Sequence, residues 1–93
     1  MQITITQDQI QRGQITDSSQ CPAAIAIREA TGLMVNVYPV SGAYFSRSGG
    51  LFSKGRVWHS EIPRNLADFI IDFDARRPVK PLTFEISVPE LTG

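Results

Sequence analysis

Ninety-three residues make room for one domain around a single core, 1–93, and leave no length for a second. Nine basic side chains against nine acidic ones give a net charge of zero, which removes bulk charge as an argument for nucleic acid or a membrane surface. One cysteine cannot close an internal disulfide, one Cys with one His gives no metal-ligand spacing, and no apolar run reaches the ~20 residues of a spanning helix.

The opening MQITITQDQIQRG does not read as a charged segment followed by an apolar one, so the expectation is a soluble, cytoplasmic chain without a cofactor or metal. Ile3 and Ile5 alternate with Thr4 and Thr6, which predicts a short half-buried strand over 1–6. Thr6 then caps a brief helical turn through Asp8, Ile10 and Arg12, ended by Gly13. A polar connection over 14–20 leads into CPAAIAIREATG, the best-punctuated stretch of the chain. Pro22 suits a first helical position, Cys21 is the cap, and Gly32 stands where a left-handed residue closes a helix. Helical spacing puts Ala23, Ala26, Ile27 and Ala30 on the inner side, with Arg28, Glu29 and Ile25 opposite.

Leu33, Val35 and Val37 alternate with Met34, Asn36 and Tyr38, a strand closed by Pro39. Ser41-Gly42 turns the chain into a second strand over 43–47, and Ser48-Gly49-Gly50 turns it again. A third, twisted strand is expected within 51–60; Gly55 interrupts it, Val57 points inward and Trp58 outward. Pro63 then opens a helix with Leu66, Phe69, Ile70 and Phe73 on one face and Asn65, Asp68 and Asp72 on the other. Arg76 and Arg77 sit at its end and Pro78 stops it. In the last strand Leu82, Phe84, Ile86 and Val88 point inward. The whole reads as an α+β domain, a mostly antiparallel sheet of four to five short strands with two main helices on one face and the first and last strands as neighbours.

Several of these segments together resemble a family of small proteins encoded by phages, prophages and some bacteria: the Ile-Gln-Arg-Gly turn, Cys21-Pro22-Ala23-Ala24-Ile25-Ala26-Ile27, Phe69-Ile70 before Phe73-Asp74, and Pro81 before Phe84-Glu85. The resemblance implies an accessory protein of a bacterial cytoplasm and carries no catalytic residue over to this chain. Ala23 stands where the family has a larger residue, and the family's further cysteine ahead of Cys21 is absent.

Cys21 at a helix N-terminus is the sharpest chemical candidate, because the partial positive charge there lowers a thiol pKa. A nucleophile also needs a base, and the only histidine, His59, is remote in sequence, so a structural cap is the preferred reading and a thiol enzyme the third choice. Asp68, Asp72, Asp74 and Glu61 read as a solvated helix surface and its neighbours.

Between Ala43 and Arg64 lie four basic residues and one acidic one, interleaved with aromatics. Tyr44, Arg47, Lys54, Arg56, Trp58 and His59 are therefore the candidate binding residues. The leading expectation is a non-enzymatic protein that binds a protein partner through the exposed meander, an activity that an inhibitor of a host defence or regulatory complex would also need. Nucleic-acid binding through Arg47, Lys54, Arg56 and Trp58 is the alternative. Self-association stays open and a membrane is not expected.

Overall fold

The computed structural model describes residues 1–46 and 57–88. In chain order these form β1 (Gln2–Ile5), α1 (Gln7–Arg12), α2 (Pro22–Thr31), β2 (Met34–Tyr38), β3 (Gly42–Ser46), β4 (Trp58–Ser60), α3 (Arg64–Asp74) and β5 (Leu82–Glu85). The expected α+β domain is what forms, with the strands divided into two antiparallel ladders in place of one continuous sheet. One ladder pairs β1 with β5, so the first and last strands are indeed neighbours, with Ile3 opposite Phe84. The other runs β2-β3-β4, with Val35 opposite Phe45 and Tyr44 opposite His59. The two ladders are linked where the Ser60 hydroxyl of β4 donates to the carbonyl of Ser87, two residues beyond β5.

One core joins the ladders. Ile3, Ile5 and Phe84 come from the first, with Ile86 just beyond it, Val35, Val37, Ala43 and Phe45 from the second, and Leu66, Phe69 and Ile70 from α3. Helix α2 packs on both β1 and β2, and its small Ala23, Ala24 and Ala26 let the helix lie close against them. Its Cys21 cap is as expected: the sulfur accepts from the Ala24 N–H at 3.4 Å, and Gly32 closes the helix at φ 76°. The expected inner face is wrong at one position: Ala30 is exposed in the last turn, which has reached water, while Ile25 on the opposite side is buried because the first two turns are enclosed by neighbouring elements, α1 among them.

Helix α1 carries the full capping box, with Thr6 Oγ1 accepting from Gln9 N–H and Gln9 Oε1 accepting from Thr6 N–H. It ends on an extended Gly13 with no left-handed residue. Arg12 then reaches both Asp8 at 2.9 Å and Glu29 of α2 at 2.9 Å, and Gln9 donates to the same Glu29, which fastens α1 to α2. In α3, Pro63 is the cap and Arg64 the first helical residue, one position later than expected. Phe73 is half-buried where Phe69 is buried, because it lies a turn nearer the open end. Arg76, at φ 62°, closes the helix: its N–H donates to Phe73 O, and the Arg77 N–H donates to Asp72 O. Those two bonds are the Schellman pattern, here with arginine in the left-handed position that usually takes glycine.

Candidate functional site: the open face of the three-stranded ladder

Antiparallel partners share a face, so the register of β2, β3 and β4 sorts their side chains. Val35, Val37, Ala43 and Phe45 enter the core. Met34, Asn36 and Tyr38 of β2, Tyr44 and Ser46 of β3, and His59 of β4 project to the other side. Tyr38 and Tyr44 meet edge to face with centroids 5.7 Å apart, and the His59 ring lies 4.8 Å from Tyr44. Three strands thus contribute one ring each to a connected aromatic row, a geometry worth roughly 0.5–1.5 kcal/mol per pair beyond burial. Asn36, Tyr38, Ser41, Tyr44 and Val57 surround a shallow cavity of about 400 Å³ on this face.

The turn that carries the row depends on Gly42. Its φ is 103°, and a Cβ built there would stand 2.5 Å from the Ser60 carbonyl oxygen and 2.8 Å from His59 Nε2. Only a residue without a side chain lets β4 approach β3 this closely, and the same approach brings His59 Nε2 onto the Ser41 carbonyl.

Beside the row, the loop before α2 covers the outer edge of β2. The Val37 N–H donates to Ser18 O at 2.9 Å, and Ser18 Oγ donates to Asn36 Oδ1. An edge that would otherwise invite strand pairing is thereby occupied. Asp17 holds that loop: its Oδ1 accepts from the Ser19 N–H, the Ser19 hydroxyl and the Gln20 N–H, bonds that keep its carboxyl below the usual value. Asp74 Oδ1 accepts from the N–H of Thr16, itself at φ 53°. Asp17, Asp74, Val37 and Tyr38 line a second cavity of about 220 Å³, which has Tyr38 in common with the first.

Of the six residues expected to bind, Tyr44 and His59 share the row. Arg47, Lys54 and Arg56 lie outside the described residues. So do the Ser48-Gly49-Gly50 turn and the 51–56 part of the third strand. Trp58 is 47% exposed, as expected, but for another reason, and Val57 reverses the expectation. Trp58 pairs with core residue Phe45 and so faces the core side, half-uncovered because β4 is a three-residue edge strand. Val57 lines the outer cavity and is 59% exposed. The residue that sequence reading missed is Tyr38. Alternation along β2 already placed it on the outer side, but the search for a binding surface followed the local charge imbalance, which begins after it.

Cys21 is 2% exposed and burial pushes its thiol pKa up, the opposite of an activated nucleophile. The acidic residues Glu61, Asp68, Asp72 and Asp74 do not form one group: Asp68 faces Arg64, Asp72 pairs with Arg77 at 2.8 Å, and Asp74 holds Thr16. Among the described residues no set of three His, Cys, Asp or Glu side chains is arranged to hold a metal, and no helix is long and apolar enough to cross a membrane. Comparison with protein-family models, with curated proteins and with solved structures finds no match.

Proposed function

We propose that the chain is a small non-enzymatic accessory protein, of the phage type its sequence resembles, that works in a bacterial cytoplasm by binding another protein through the open face of β2-β3-β4. The observation that carries this reading is the aromatic row of Tyr38, Tyr44 and His59 on a sheet face that bears Met34 and Val57 in the open. Large apolar side chains left in water on one rigid face are the composition of a contact surface, and aromatic rings are its usual anchors. The core beneath the face needs none of these side chains, since Val35, Val37, Ala43 and Phe45 already fill it.

The experiment is affinity capture from bacterial lysate with the wild-type chain and with Tyr44→Ala, each checked for native circular dichroism. A captured protein that is lost with Tyr44→Ala while the fold persists supports the reading. Equal capture by a folded Tyr44→Ala variant overturns it. The neighbouring, partly exposed Tyr44 and His59 rings also favour a second reading, a platform for unpaired bases. Titration with single-stranded DNA and RNA decides between them: micromolar binding that falls steeply with salt moves the assignment to nucleic acid.

A further inference from the structure

We propose that the occupant of this face is a cationic protein segment, with an arginine side chain lying against the Tyr38 ring and facing the carboxylates of Asp17 and Asp74. The inference rests on the protein-binding reading above and names the chemistry of its partner. Tyr38 is 43% exposed and forms the wall shared by the 400 Å³ cavity of the aromatic face and the 220 Å³ cavity beside it. The aromatic face supplies the docking surface, and the carboxylates give it a sign.

Asp17 spends Oδ1 on the Ser19 and Gln20 bonds, and Asp74 spends Oδ1 on Thr16, so among the described residues the second oxygen of each has no hydrogen-bond donor. Among the described residues neither carboxylate lies within ion-pair distance of a cation, whereas Asp8, Glu29, Asp68 and Asp72 all do. A third depression of about 260 Å³ is lined by residues of the 39–42 turn, by His59 and by Glu61, the last again without a cationic partner among the described residues. Among the described residues, the charged side chains lining these two smaller depressions are thus all carboxylates. A phosphate backbone is repelled there and a cation is attracted. Guanidinium fits both halves of the site: its flat face stacks on a phenol ring while its N–H groups fork onto carboxylate oxygens.

The probe is a short fluorescein-labelled peptide of alternating arginine and serine, followed by anisotropy against the full chain at low salt. The same peptide with citrulline for arginine keeps the shape and removes the charge. Saturable binding is expected for the arginine peptide and its loss for the citrulline peptide. Asp17→Asn with Asp74→Asn, which retains both loop hydrogen-bond acceptors, is expected to weaken binding roughly tenfold. Tyr38→Ala is expected to weaken it by roughly two- to fivefold and Tyr38→Phe to restore it. Asp68→Asn on α3 removes the same charge elsewhere and is expected to leave binding unchanged. Absence of saturable arginine-peptide binding, equal affinity for the citrulline peptide, or equal weakening by Asp68→Asn overturns the inference. If capture of a partner still depends on Tyr44 in that case, the protein-binding reading survives with a different occupant. If neither peptide binding nor capture responds to Tyr38→Ala or Tyr44→Ala, both fall.

Discussion

Gly42→Ala tests the geometry of the site at the point where fold and surface meet. The substitution adds one carbon at φ 103°, where the new Cβ would sit 2.5 Å from the Ser60 carbonyl oxygen. Backbone in that region costs an L-residue about 1–2 kcal/mol. Relieving the contact is a separate cost. The carbonyl belongs to backbone and cannot rotate away as a side chain would, so the start of β3 and the end of β4 have to separate by nearly an ångström, enough to spoil a ladder hydrogen bond worth about 1 kcal/mol. The sum is about 2–3 kcal/mol, or a fall in melting temperature of about 8–24 °C for a domain of this size. Because Ala43 pairs with Ser60 and Tyr44 with His59, the same displacement pulls His59 from Tyr44, so the aromatic row is damaged together with stability. Urea denaturation followed by far-ultraviolet circular dichroism measures the first effect, and the His59 ring resonances in proton NMR measure the second. A Gly42→Ala protein within 0.5 kcal/mol of wild type, with an unmoved His59 ring, would refute the argument.

Three further outcomes follow from the same structure. Cys21 is expected to react with a thiol reagent at neutral pH more slowly in the folded chain than in urea, since burial raises its pKa and the sulfur is engaged by Ala24 N–H; faster labelling of the native protein would revive thiol chemistry. Glu29 is held down to about 2 from 4.5, chiefly by its hydrogen bonds to Arg12 and Gln9. Its folded pKa is the lower one, so its stabilisation is complete above the unfolded value and is lost as pH falls from about 4.5 toward about 2. In Glu29→Gln, acid melting curves should therefore flatten in that window; an unchanged slope would mean the clamp does not hold in solution. Arg76→Gly removes an L-residue from φ 62° while leaving the Schellman bonds in place, so it should raise stability by roughly 0.5–1 kcal/mol in urea titrations, and a loss would show that the arginine side chain contributes more than its strain costs.

The helices were legible because their ends are written in local chemistry. Pro22 after Cys21 and Gly32 after Thr31 mark both ends of α2, and the Leu66, Phe69, Ile70 stripe marks the buried side of α3. Each of these signals acts within a few residues and does not wait for a tertiary partner. The β1–β5 pairing was legible for a different reason: both segments alternate over their whole length, and Ile3 and Ile5 need a covered face that Phe84 and Ile86 can share. What failed in α2 was the inward placement of Ala30, which periodicity puts with the inner stripe but which lies in the last turn, where the helix has reached water; Ile25, opposite that stripe, is buried because several elements enclose the first two turns.

The third strand of the meander shows where sequence reasoning loses its hold on this chain, and the loss falls on the candidate site. Valine is apolar and tryptophan stands among polar neighbours, so alternation sends Val57 in and Trp58 out. Register decides otherwise: with Tyr44 opposite His59 and Phe45 opposite Trp58, the faces are fixed by β3, whose own alternation is anchored by fully buried Phe45. A slip of one residue exchanges every side chain between faces, and a three-residue edge strand carries too few apolar positions to resist the neighbour that sets it. The exposure of Trp58 therefore says that β4 is an edge, and it does not place the indole with the aromatic row. It follows that the proposed contact surface is centred one strand earlier than charge patterning suggested, on Tyr38 and Tyr44, with His59 as its far member and Val57 lining the cavity beside it.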